Sequence, residues 1–220
     1  MKVTYAQIQS SDEIRTYIAQ ADASLTARGF TEHSFPHVTK CAETAAGLLK
    51  DLGYDERQQE LARIAGFMHD IGNLVNRYDH AISGATMAFR ILDHMGMDPA
   101  EVAAVSTAIG HHDDKTAFPV NAITAALILA DKTDVRRSRV RPKPLADFDI
   151  HDRVNYAVEH SDLALDPDAR TLTLNLSINT EVSAVMDYFE IFLERMLLCR
   201  RAAEFFSLTF KLDINGSNLL

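Results

Sequence analysis

The residues that could do chemistry in this chain are imidazoles and carboxylates placed at the ends of apolar segments. His37 stands near the start of one such segment, the pair His69 and Asp70 ends the next, and His80 opens another. The pair His111 and His112 ends a fourth, and Asp131 lies inside a fifth. Metal ligands gather where helix ends and faces meet in a bundle, because side chains converge there without breaking backbone hydrogen bonds. A single histidine is more often a surface or hydrogen-bonded structural residue, so the ordered set carries the metal reading. Asp131 strengthens it: it follows the apolar run ALILA, where a carboxylate is costly unless it meets a partner or a metal.

Several imidazoles with two carboxylates suit one or two divalent transition-metal ions, manganese, iron, cobalt, nickel or zinc, better than magnesium or calcium. A water on such ions becomes hydroxide near neutral pH and can attack phosphorus. His33, Asp113 and Asp114 are candidates to relay a proton beside it, although acids in a polar loop are more often solvated. Asp134 could accept a hydrogen bond from a ligand histidine, its bland alternative being a surface ion pair with Arg137. The run KTDVRRSRVRPK supplies Lys132, Arg136, Arg137, Arg139, Arg141 and Lys143, of which one or two arginines are expected to hold substrate phosphate, with Arg136, Arg137 and Lys132 put forward; a solvated helix end explains the run as a whole equally well.

Helices must position these groups. Ser11 caps a helix with Ile14, Ile18, Ala21 and Leu25 on one face, ending at Gly29; Ser34 and Pro36 open a second that stops at Gly53. Asp55 caps a third, stopped by Gly72 and Asn73. A fourth runs from His80 to Met95, and a fifth from Asp98-Pro99 to His111-His112. A sixth runs from Asn121 through DKTDVRR, apolar in its first half and charged in its second.

After a loop at 138–148 the period changes to that of strands. Leu172, Leu174, Leu176 and Ile178 alternate with polar residues, as do Phe206, Leu208, Phe210, Leu212 and Ile214. Leu163 and Leu165 suggest a further strand, joined to LTLNLSI by a hairpin. A helix from Glu181 to Ala203, capped by Thr180, lies between. The expected fold is mostly α: a helical bundle over 1–148, then a small α/β unit over 149–220 with antiparallel strands covered by one helix.

Composition sets the outer limits. At 47% hydrophobic and 24% charged residues the chain reads as an ordinary folded protein, and a net charge of -9 argues against general nucleic-acid binding. No segment reads as a signal peptide or membrane span. Cys41 and Cys199 both fall in apolar helical patterns, which suits buried thiols in a reducing compartment and hence a cytoplasmic protein. The C-terminal unit leaves room for a homodimer.

The ordered set His37, His69-Asp70 and Asp131 resembles the H…HD…D signature of the HD-domain metal-dependent phosphohydrolases. FMHDIGN resembles the apolar-HDIG stretch of that superfamily, HAISGA its HxxxGA helix start, and LILADKTD the run ending in its last aspartate. The likeness covers roughly residues 30 to 140. It implies a helical fold, His37, His69, Asp70 and Asp131 as ligands of a first metal, and Asp70, His80 and one or both of His111 and His112 as ligands of a second, with Asp70 bridging. It gives Asp70 a central catalytic role, beside which the residues themselves offer His33 and Asp113 as helpers, and implies hydrolysis of a small phosphate ester, a nucleotide foremost. Asn73 stands where the HD-GYP phosphodiesterases have lysine, and the paired histidines do not continue into a GYP word, which disfavours a cyclic-dinucleotide substrate. Two other classes remain open: a di-iron oxygenase on the same scaffold, and a regulatory module that keeps the metal.

Overall fold

The computed structural model describes residues 2–114 and 117–219. A short helix, α1 (Tyr5–Ser10), leads into α2 (Asp12–Ala27), followed by α3 (Phe35–Asp51) and α4 (Glu56–Met68). After a 3-10 turn at Ile71–Leu74 come α5 (His80–His94), α6 (Pro99–Gly110) and α7 (Ala122–Lys132). The chain closes with α8 (Ile150–Ala157), β1 (Val158–Asp166), β2 (Thr171–Ile178), α9 (Val185–Phe205), β3 (Thr209–Ile214) and β4 (Ser217–Asn218).

The apolar stripes explain the packing. α7 is apolar on every side, and a helix of that kind must be enclosed; α3, α4, α6 and α9 all pack against it. Around it α3 pairs with α4 and α5 with α6. The hydrophobic core is continuous from α2 through α7 into α9 and the sheet. Among the described residues no helix is long and apolar enough to cross a membrane.

The expected fold class is found, with local differences that have physical causes. The sheet order is β1-β2-β3-β4, and β1/β2 form the antiparallel hairpin. β2 and β3, however, run parallel, with Leu172 opposite Phe210 and Leu174 opposite Leu212, because α9 is a crossover that returns the chain to the same end of the sheet. α9 begins at Val185 rather than Glu181: Asn179 captures the intervening backbone, its carbonyl accepting from Val182 and Ser183 and its side chain from Glu181. α7 stops at Lys132 instead of continuing to Arg137, with the Thr133 hydroxyl bonded to the Leu129 carbonyl. The third helix ends at Met68, and the 3-10 turn carries the chain to Leu74. Neither α1 nor α8 was anticipated, though each starts with a reciprocal capping box, Thr4 with Gln7 and Asp149 with Asp152.

Candidate metal centre

Five helix ends meet at one point. His37 lies in the first turn of α3, His69 caps the C-terminus of α4, Asp70 precedes the 3-10 turn, His80 is the first residue of α5, His112 follows the end of α6, and Asp131 sits near the end of α7. Glycine makes the closest of these approaches possible. A Cβ on Gly72 would lie 2.0 Å from the His80 carbonyl oxygen and 2.5 Å from the Gly84 nitrogen, so the turn after Asp70 can rest on the start of α5 only without a side chain. Asp79, in the left-handed region at φ 57°, turns the chain into that helix.

The histidines are aimed by their inner nitrogens. Nδ1 of His69 donates to the Gly66 carbonyl at 2.7 Å, that of His80 to Arg77 at 3.0 Å and that of His112 to Ile109 at 2.6 Å, while Nδ1 of His37 is 2.8 Å from Asp134 Oδ2. With Nδ1 engaged in this way, Nε2 of each ring is turned towards the cluster, the atom that would ligate a metal. Four donors then converge: His37 Nε2 lies 3.4 Å from Asp131 Oδ1 and 3.6 Å from Asp70 Oδ2, and His69 Nε2 lies 3.3 Å from Asp70 Oδ2 and 3.8 Å from Asp131 Oδ1. Such separations suit ligands about 2 Å from one first-row ion. His69 Nε2 and Asp70 Oδ2 are buried without a hydrogen-bond partner, a costly state that a bound cation relieves. The donor set fits a metal.

Electrostatics agree. Burial works to raise the pKa of Asp70 and of Asp131, yet His69 beside the first and Lys132 with His37 beside the second hold both well below the usual carboxylate range. Both stay anionic. Burial pushes His112 well below the ordinary imidazole range, aided by His69 and His80. Cys41 Sγ is 3.7 Å from His37 Nδ1 and within ligand spacing of His37, His69 and Asp131, and burial raises its thiol pKa well above the ordinary value.

A second cluster shares Asp70. His80 Nε2 is 3.5 Å from Asp70 Oδ1 and 3.8 Å from Asp113 Oδ1, and the His112 ring stands 5.0 Å from that of His69 and 5.1 Å from that of His80. The same Asp70 oxygen accepts from the Asn73 amide at 2.8 Å, and Arg77 lies 4.0 Å away. Of the paired histidines, only His112 joins the cluster. His111 makes none of its contacts, because adjacent residues past a helix end diverge in direction.

The basic residues divide in the same way. Lys132 is buried between Asp131 (2.8 Å) and Asp114 (3.1 Å) and belongs to the site. Arg136 does not reach it; its Nε bonds Asp134 at 2.8 Å. Arg137 is spent on the Tyr156 carbonyl and ring and on Glu159, so it is corrected from the expected phosphate-binding set. The premature end of α7 explains both corrections, since the helix that was to carry these arginines past the metal stops first. The structure supplies Arg77, Arg139 and Arg195 in their place. Together with His33, Asp70, His80, Asp131 and Lys132 they line a cavity of about 20 Å³, room for about one water. Arg139 comes from the basic run that the sequence pointed to, whereas nothing in the sequence singled out Arg77, which sits in an irregular loop, or Arg195, which reads as one of several charges on an amphipathic helix.

His33 is half-buried at this cavity, with Nδ1 bonded to the Thr31 carbonyl at 2.7 Å and a pKa driven well down by burial and by Arg139. Asp134 proves to be fully enclosed, which excludes the surface ion pair with Arg137.

A helical bundle whose helix ends present His, His-Asp and Asp to one point defines a class of metal-binding proteins. The HD domain family model matches residues 35–154, and the chain belongs to that family of metal-dependent hydrolases. No curated protein matches. A solved structure, that of a predicted HD superfamily hydrolase from an uncultured Thermotogales bacterium, is 30% identical, with 56% of this chain and 67% of that chain covered and a TM-score of 0.46.

Proposed function

We propose that the protein hydrolyses a small phosphate ester, a nucleotide by preference, at one or two divalent transition-metal ions. The observation that carries this reading is the convergence of His37 Nε2, His69 Nε2, Asp70 Oδ2 and Asp131 Oδ1 beneath a cavity lined by Lys132, Arg77, Arg139 and Arg195. Metal at these donors would be manganese, iron, cobalt, nickel or zinc, because imidazole-rich sets disfavour magnesium and calcium. When bound, it supplies a hydroxide near neutral pH and offsets charge on the phosphoryl oxygens.

The chain's own groups do the rest. Arg77, Arg139 and Arg195 line both this small cavity and an adjoining one of about 300 Å³, and would pair with a phosphoryl dianion where the two meet. Lys132 holds Asp131 in place through its 2.8 Å contact and adds positive charge. His33, whose Nδ1 is bonded to the Thr31 carbonyl and whose pKa is driven well down by burial, would stand beside the small cavity as a neutral imidazole able to accept a proton at Nε2. Asp113 steadies His80 from the rim. Cys41 and Cys199 are buried free thiols, in keeping with the cytoplasm.

The test is phosphate release from a panel of nucleotides and other phosphate esters, with manganese or anaerobic ferrous iron, for the wild type beside Asp70→Ala. Release by the wild type and its loss by at least ~10³-fold in the variant are expected. Oxygen consumption without phosphate release, or equal release by both proteins, would sink the reading.

A further inference from the structure

The C-terminal unit reaches the site. The small cavity above the metal ligands shares His33, Arg77, Arg139 and Arg195 with an adjoining cavity of about 300 Å³, whose far wall is built by α8 and α9. We propose that this outer cavity receives the body of a phosphomonoester, carrying one phosphoryl group on a neutral, hydroxyl- or amine-bearing moiety no larger than a nucleoside, and that Arg195 of α9 selects it. The proposal rests on the phosphohydrolase reading above.

Three observations carry it. The first is the geometry of Arg195. Its Nε is fixed by Asp114 Oδ2 at 3.2 Å and its guanidinium lies 4.8 Å from the centre of the Phe192 ring, whereas its two terminal nitrogens have no hydrogen-bond partner among the described residues. Asp114 also pairs with Lys132, so one carboxylate ties α9 to the side chain that holds the metal ligand Asp131. A guanidinium held at one edge and open at the other is prepared for a phosphoryl group.

The second is the change of charge along the cavity. Guanidinium groups surround the neck, but the α8 end is lined by Asp149, His151, Asp152 and Asn155. The start of that helix would ordinarily attract an anion. Here the Asp149 carboxylate accepts from the Asp152 amide and the Asp152 carboxylate from the Asp149 amide, which fills the position with negative charge. Lys143 pairs with Asp152, and among the described residues Asp149 makes no salt bridge of its own. Among the described residues Arg28 is the arginine of the outer cavity that does not also line the small one, and its guanidinium lies near the Phe30 and Tyr78 rings. A second or third phosphate would meet carboxylates, whereas hydroxyl or amino groups would find acceptors. The third observation is size: about 300 Å³ stands at the lower limit of ligand pockets, enough for one nucleoside and too little for a dinucleotide.

The experiment measures kcat/KM of the metal-loaded wild type for adenosine 5′-monophosphate, diphosphate and triphosphate with magnesium in excess, and for bis(p-nitrophenyl) phosphate as a diester. Arg195→Met and Arg195→Lys follow, each with its metal content and its calorimetric affinity for inorganic phosphate. Expected are a preference of at least ~10-fold for the monophosphate and, in Arg195→Met, a KM raised about 10- to 100-fold with metal content unchanged, the size of one charge-assisted hydrogen bond. Arg195→Lys recovers part of the phosphate affinity, which a merely unfolded variant would not. Equal or better turnover of polyphosphates or the diester overturns the proposal while leaving the phosphohydrolase reading intact, as does unchanged KM and phosphate affinity in Arg195→Met. Failure to hydrolyse any ester overturns both.

Discussion

Asp134 shows how much one residue can settle beyond the metal ligands themselves. Its carboxylate accepts from His37 Nδ1 at 2.8 Å and also meets Lys40 at 3.1 Å, Arg136 at 2.8 Å and Arg139 at 3.8 Å. Burial alone would raise its pKa; the hydrogen bond from His37 and the charge of Arg139 outweigh burial and hold it far below the usual carboxylate value. A depressed folded-state pKa stabilises above the unfolded value and stops doing so only as pH falls through the folded one. The contribution is therefore complete at neutral pH and survives into strong acid. Asp134→Asn keeps the shape but weakens the bond that orients His37, so metal affinity measured by equilibrium dialysis is expected to fall about 10- to 100-fold. An unchanged affinity would show that packing alone aims the ring. At this scale the sequence was legible where a residue type is costly without a partner, as with Asp131 and the His69-Asp70 pair. It leaned only slightly towards His112 over His111, since one peptide unit decides which ring turns inward, offered Arg139 as one of several arginines, and was silent on Arg77 and Arg195, which only tertiary folding brings to the site.

Between elements, the tightest joint is the 3-10 turn against α5. Gly72→Ala would drive a Cβ into the His80 carbonyl and the Gly84 nitrogen, both backbone atoms that cannot swing aside. A cost of roughly 3 kcal/mol or more is expected in urea unfolding. Activity should fall with it, because the same displacement separates Asp70 from His80. Gly47 provides the contrast: it lies within α3 with nothing inside 4 Å of an added Cβ. Gly47→Ala should stabilise by about 0.5–1 kcal/mol through backbone entropy, with activity unchanged. Equal effects from the two substitutions would deny the turn its special role. Periodicity made the long helices readable, and it failed where side chains compete with backbone bonds: Thr133 ending α7, Asn179 delaying α9. The parallel β2/β3 pair was hidden for another reason, since alternation reports which face is buried and not which way a strand runs.

At the scale of the molecule, α7 joins the metal centre to everything else. It carries Asp131 and Lys132, and it packs against α3, α4 and α6 on one side and α9 on the other, within one continuous core. Metal binding to that centre should consequently stabilise the whole chain rather than the bundle alone. A ligand that binds only the folded state at 100 times its dissociation constant adds about 2.7 kcal/mol. For a chain of this length each kcal/mol moves the melting temperature by about 2–4 °C, so manganese or zinc should raise Tm by roughly 5–10 °C over the chelated protein. Calorimetry is the measurement, with the C-terminal sheet followed separately by hydrogen exchange. A single transition is expected in both states, with exchange in β2 slowed along with that in α7 when metal is added, and with no metal response in Asp70→Ala. Two transitions, of which only one moves with metal, would mean that the C-terminal unit folds on its own. In that event Arg195 would stand on an independently mobile element, and the link through Asp114 and Lys132 would have to act as a hinge instead of a brace.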